Sequence, residues 1–244
     1  RLRLDVSEVP HVDASAAHFD FAGTEIKISV PKSHTIRVIR RNEFDHWLAK
    51  KTREAGIEIR EGITVKNIIP DQDGVIVETD HGNFHAQIVV GADGSNGITR
   101  RIVLPDTPVY TARVLEVITP ELPTTNEEIA PGQDTPRNDA HQTSVAYFDF
   151  FPVPDNIAGY VWDFPTQING EPMRCWGIYD TNLLADQERT PLKKALAEEM
   201  ARHGFNLDDY ELKGHPIRWY DPFNPVSVPR VLLVGDAVGA DPIF

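Results

Sequence analysis

Two apolar runs, Ile88-Val89-Val90 and Val231-Leu232-Leu233-Val234, each end in a glycine followed closely by a carboxylate. The first empties into Gly91-Ala92-Asp93-Gly94 and the second into Gly235-Asp236-Ala237. Short apolar runs bounded by turn residues read as strands buried on both faces. In open α/β sheets, ligands bind in the crevice outside the carboxyl ends of such strands. Two exits of this kind predict a polyhydroxylated cofactor held between them.

The flanking segments fit a mixed chain of helices and strands. Residues 1–33 read as a hairpin, with alternating patches over 17–21 and 25–30 bounded by Gly23 and Pro31. A helix is predicted from Asn42 as N-cap, with Glu43 and Asp45 in its first turn and Gly56 as terminator. Its stripe is Phe44, Trp47, Leu48, Lys51 and Ala55, and Lys50, Lys51 and Arg53 suit its C-terminal dipole. Strands are expected at 57–60, 63–69, 75–79 and 84–90, the last running into the first glycine–carboxylate exit. Residues 120–143, rich in Pro, Thr, Asn, Asp and Glu, read as a loop, either an active-site lid or a plain solvated connection. A second helix has Thr190 as cap, Pro191 at its first position, a stripe of Leu192, Ala195, Leu196 and Met200, and Gly204 at its end.

Composition narrows the function. The 244 residues, 41% hydrophobic, provide for one large or two interleaved domains with a substantial core. A formal net charge of −13 and the lack of a basic stripe argue against a nucleic-acid partner. The single cysteine, Cys175, precludes an intrachain disulfide or a cysteine metal cluster and fits a reducing, cytoplasmic setting. No apolar stretch approaches the roughly 20 residues needed to cross a bilayer. No Ser-His-Asp order, zinc spacing or P-loop is present, so no metal site and no catalytic acid–base pair is assigned.

Three motifs occur in a recognisable order: Arg41-Asn42-Glu43-Phe44-Asp45 at a helix start, Gly91-Ala92-Asp93-Gly94-Ser95, and Gly235-Asp236-Ala237. Their order and spacing resemble the FAD-dependent oxidoreductase superfamily of para-hydroxybenzoate hydroxylase. Within it, Gly159-Tyr160-Val161-Trp162-Asp163-Phe164-Pro165 is similar to the YxWxFP motif of the geranylgeranyl reductase branch. The chain departs from the family in two ways: no glycines have GxGxxG spacing, and Ile157 stands where that branch often has proline. Flavin halogenases carry Trp-x-Trp-x-Ile-Pro, against which Tyr160 and Phe164 differ. The opening at Arg1 and the stop at Phe244 are read as those of an internal fragment of a longer enzyme.

The resemblance implies an α/β fold in which an FAD-binding Rossmann-like domain (34–105 and 229–244) is interleaved with a mixed or antiparallel-sheet substrate domain (1–33 and 106–228). Asp236 would accept ribityl hydroxyls, and Gly235 would let the backbone approach the cofactor; Asp236 as a helix N-cap is the alternative. Asp93 would lie near FAD and a passing nicotinamide cofactor, or serve an Asx turn capping the helix from Asn96. Ser95, Arg100 and Arg101 are read as structural or surface residues. Arg41 would fork onto phosphate or ribose oxygens, and the main chain at Val65 would meet the adenine edge, against exposed-residue and strand-core alternatives. Tyr160, Trp162 and Phe164 alternate, so a strand ended by Pro165 would turn all three to one face, as a substrate wall or as sheet core.

The expected function is FAD-dependent reduction of isoprenoid, geranylgeranyl-type double bonds, with NAD(P)H as reductant. The alternatives are a monooxygenase, hydroxylase or halogenase of the same fold, or a non-catalytic fragment unable to hold FAD. The expected partner is a small apolar or aromatic molecule, with peripheral membrane contact through a lipid substrate.

Overall fold

A computed structural model describes residues 4–105, 107, 110–121 and 144–240; the expected loop at 120–143 lies almost wholly outside them. In chain order the elements are β1 (His11–Ala14), β2 (Ala16–Phe21), β3 (Thr24–Ser29), β4 (Ile36–Ile39), α1 (Arg41–Glu54), β5 (Val65–Pro70), β6 (Val75–Thr79), β7 (Gly82–Ala86), β8 (Val89–Gly91) and α2 (Ile98–Val103). There follow β9 (Thr111–Pro120), β10 (Val145–Asp149), β11 (Gly159–Ile168), β12 (Glu171–Asp180), α3 (Leu192–Arg202), β13 (Lys213–Arg218), β14 (Ser227–Val228) and β15 (Val231–Leu233). The chain divides into two compact units, residues 1–57 with 114–214, and residues 58–113 with 215–244. The divisions fall after α1, inside β9 and inside β13.

The first unit holds most of a seven-stranded sheet of order β13-β9-β12-β11-β10-β2-β3, together with a β1·β4 pair. β10 lies antiparallel to β11 and parallel to β2, and β2 and β3 form the expected hairpin. Alternation divides β11 cleanly. Val161, Asp163 and Pro165 are buried on one face, and Val161 joins Trp176 and Ile178 of β12 against Leu192, Leu196 and Met200 of α3. The stripe on α3 was legible because all its apolar positions meet this face; the helix starts one residue later than expected, at Leu192, with Pro191 in the cap position and no side-chain cap. Its Gly204 sits at φ +83°, a conformation that ends helices at little cost for glycine.

Buried beneath the sheet, Arg174 donates from Nε to Asp163 Oδ1 at 2.7 Å, and its Nη2 reaches the carbonyls of Val145 and Asp163. Burial pushes the Asp163 carboxyl up, with Arg174 acting in the opposite direction. On α1, Trp47 is the buried residue; its indole N–H donates to Glu8 Oε2 at 3.1 Å, and Lys51 Nζ lies 2.7 Å from the same oxygen. α1 begins at Arg41 with Arg40 in the cap position, two residues earlier than the Asn42 cap predicts, and no side chain caps it.

The second unit has two three-stranded sheets, β5-β6-β7 and β14-β15-β8. Ile68, Val75, Val103, Leu104, Val231, Leu233 and Ala237 form its core. Three sequence expectations are corrected. Residues 57–60 form no strand. The run at 84–90 is two strands in different sheets, broken at Gln87, whose carbonyl accepts Arg230 Nη1. In the first unit, β11 continues past Pro165 to Ile168; its ladder with β10 ends at Asp163, so the proline's missing N–H is not needed there. β8 and β15 bury one face under α2, while Ile88, Val90, Leu232 and Val234 are exposed.

A candidate cofactor site at two parallel strand ends

β8 and β15 are hydrogen-bonded neighbours running parallel, with Val231 opposite Val89 and Leu233 opposite Gly91. Their carboxyl ends therefore point the same way, and the two glycine–carboxylate exits leave side by side. Val234 N–H donates to the Gly91 carbonyl at 3.0 Å, carrying the pairing to the exits themselves. α2 packs on this pair because Gly91 has no side chain: a Cβ there would lie 2.3 Å from Thr99 Cγ2 and 3.1 Å from Leu233 Cδ2.

The two aspartates are used differently. Asp93 Oδ2 accepts Thr99 N–H at 3.0 Å and Thr99 Oγ1–H at 2.9 Å, so this carboxylate closes the first turn of α2 from upstream. Gly97 makes room for it, since a Cβ there would fall 2.1 Å from Asp93 Cγ. Asp236 is exposed, and no described residue hydrogen-bonds to its carboxylate. The chain after β15 closes a single 3₁₀ turn, Gly235–Ala237, whose cap position, Val234, brings no side-chain bond. Gly235 takes φ +59° with nothing within 4 Å of its Cβ position, leaving open backbone before Asp236.

Two arginines brace these exits. Arg100, 7% exposed, donates from Nη1 to the Ala237 carbonyl at 2.8 Å, tying α2 to the second exit. Arg218 donates from Nε to the Ser95 carbonyl and from Nη2 to Asn96 Oδ1 at 3.3 Å. Arg218 Nη1 and the neighbouring indole N–H of Trp219 are buried donors with no acceptor among the described residues. Burial lowers the pKa of both guanidinium groups, and for Arg100 the charge of Arg218 adds to the effect. Arg100 is thus a buried brace, the structural one of the two readings its sequence position left open. Arg218 was not singled out from the sequence, and its signal was faint: one cation at the end of a strand.

The other candidates are dispersed. In the second unit, Val65 opens β5 opposite Thr79, next to a register shift, and is 38% exposed, so it is not core. In the first unit, Arg41 is exposed at the start of α1, with Nε and Nη2 3.4 and 3.3 Å from the Asp45 carboxylate. Also in the first unit, Tyr160, Trp162 and Phe164 share the face of β11 away from α3, each half-buried and none in the core beneath that helix. Phe148 of β10 joins them, its ring 5.6 Å from Tyr160 and 4.9 Å from Phe164, and Phe19 stacks on Phe148 at 4.7 Å. The wall is therefore wider than the sequence motif.

A mixed α/β chain with neighbouring glycine–carboxylate strand ends falls in the class of FAD-binding oxidoreductase folds, as solved structures bear out. A geranylgeranyl bacteriochlorophyll reductase-like protein from Thermoplasma acidophilum superposes with a TM-score of 0.70 at 20% identity, covering 98% of this chain and 58% of that one. The halogenase PltM does so at 0.66 and 14%, covering 96% and 50%. At these identities the likeness is one of fold. Among curated proteins, Uncharacterized protein Mbar_A1602 of Methanosarcina barkeri is 29% identical over 208 residues, 84% of this chain and 46% of its own length. FixC of Salmonella typhimurium is 29% identical over 114 residues, 43% of this chain and 26% of its own. The chain thus spans less than half of either relative. The FAD binding domain family model matches residues 9–242, and the chain belongs to that family.

Proposed function

We propose that this chain carries part of the flavin cradle and the substrate face of an FAD-dependent oxidoreductase that saturates carbon–carbon double bonds of an isoprenoid, geranylgeranyl-type substrate. The observation that carries the reading is the exposed carboxylate of Asp236, unbonded among the described residues, at the end of β15 and beside the parallel end of β8. A fixed, exposed carboxylate accepts sugar-type hydroxyls in charge-assisted hydrogen bonds, and the open backbone at Gly235 lets a ligand come close. The residues fit FAD in this respect. Arg218 Nη1, a buried donor, would serve a phosphate oxygen.

Within the second unit, Asp236 would hold ribityl hydroxyls and the Val65 main chain the adenine edge. Asp93, engaged by Thr99, would shape the site through α2. Bound flavin supplies hydride chemistry, with NAD(P)H as its reductant. Tyr160, Trp162 and Phe164 would exclude water and hold an apolar chain or ring. The Thermoplasma relative's reductase-like description favours reduction; the halogenase likeness keeps oxygen chemistry as the competing outcome.

The test begins with the visible flavin absorbance of the purified protein and of D236A. Retention by the parent and loss in D236A supports the cradle; no flavin in the parent after FAD addition favours a non-catalytic fragment. With flavin reduced anaerobically, saturation of geranylgeranyl diphosphate supports the reductase. Rapid oxygen consumption with no saturated product overturns it in favour of a monooxygenase.

A further inference from the structure

Gly177 sits in the middle of β12, buried and far from any turn. Glycine in a strand interior forgoes side-chain packing and loses more chain freedom on folding than any other residue. Its φ lies outside the left-handed region that favours glycine, so the backbone itself would accept any side chain. Space is what excludes one. A Cβ at Gly177 would lie 2.0 Å from Trp162 Cζ2 and 2.4 Å from both Cε2 and Cη2, pressed onto the face of the indole.

The strand register explains why these residues meet. Trp162 and Gly177 are directly opposite across the β11·β12 ladder, flanked on the same face by Tyr160 opposite Tyr179 and Phe164 opposite Cys175. With no side chain at Gly177, the indole lies down over the β12 main chain. One ring face is against the backbone, and the ring meets Tyr160 and Phe164 at centroid distances of 6.3 and 6.1 Å. The opposite ring face is then what the centre of the wall presents.

We propose that Gly177 is a specificity-determining position: by letting the Trp162 indole recline on β12, it makes the wall a flat π surface suited to an extended unsaturated chain or a planar ring. This rests on the reading of that face as the substrate side. A side chain at Gly177 would lift the indole and turn its edge outward, shortening the flat surface between Tyr160 and Phe164. Gly177 acts through Trp162 and is a positioning residue.

The experiment is a cycle of G177A, W162F and G177A/W162F, because phenylalanine removes the indole atoms that a Cβ would strike. Without ligand, the share of tryptophan emission that W162F abolishes should shift red and become more open to acrylamide in G177A; an unchanged share overturns the proposal. With farnesol and 2-naphthol as probes, G177A should weaken binding about tenfold. In the W162F background the same change should cost no more than about twofold. An equal loss in both backgrounds overturns the proposal, since Gly177 would then act through the backbone. If G177A does not fold, recovery of native spectra in G177A/W162F supports the clash and failure to recover overturns it. If the parent binds neither probe, the substrate-face reading fails, while the assignment of Gly177 to the indole is decided by the emission result alone.

Discussion

Asp93 Oδ2 accepts two hydrogen bonds from Thr99, one from its backbone N–H at 3.0 Å and one from its hydroxyl at 2.9 Å. Asp236, at the end of the neighbouring parallel strand, accepts none from a described residue. Replacing Asp93 by Ala should therefore cost about 1–2 kcal/mol of stability, as losing a helix-start acceptor does. D236A should leave stability within about 0.5 kcal/mol while lowering flavin retention. Urea unfolding beside flavin absorbance separates them; equal destabilisation by both would contradict the division of labour.

Thr99 also meets Gly91, where a Cβ would come within 2.3 Å of the threonine methyl. G91A should destabilise by about 1–3 kcal/mol through overpacking. T99S deletes that methyl and keeps the hydroxyl bond to Asp93, so G91A/T99S should recover part of the loss. Strict additivity of the two changes in denaturant unfolding would show that α2 does not press on Gly91.

Arg174 and Asp163 are both buried, 1% and 4% exposed, and joined at 2.7 Å. Removing one partner strands a buried charge, so R174M should cost about 3–5 kcal/mol. R174M/D163L, which removes both charges, should recover most of this. The check is the unfolding midpoint of the two variants against the parent.

The Cys175 thiol is pushed up to about 12, first by burial and then by the carboxylate of Glu116. The native state therefore keeps its proton where the unfolded chain, with a thiol pKa of about 8.5, has lost it. This contribution is fully present below the unfolded pKa and is lost as pH rises toward about 12. A thiol-labelling reagent at pH 8 should modify the native protein far more slowly than the urea-unfolded chain, and C175A should decline less in stability on the alkaline side. Fast labelling of folded protein would refute the burial.

The strand exits were legible because their chemistry lies in a few contiguous residues: an apolar run, a glycine and a carboxylate. Which aspartate is engaged was not, since the decision rests with Thr99, six residues after Asp93, whose donors reach back through a bend that no periodicity announces. The one-face placement of Tyr160, Trp162 and Phe164 followed from alternation alone. The contribution of Phe19 and Phe148 needed the parallel pairing of β2 with β10, which joins segments far apart in the chain. Whether Arg100 was structural or on the surface stayed open because burial of a cation depends on an acceptor, here the Ala237 carbonyl, far along the sequence. The break at Gln87 was hidden inside an unbroken stretch of strand formers.

The partners of the β8·β15 ladder are separated by more than half the length of the polypeptide. During synthesis, the first exit emerges long before the strand that must lie against it. Nascent chains halted before β15 should therefore show no affinity for flavin however well their earlier segments have folded, and the cradle should mature only once β15 has left the ribosome.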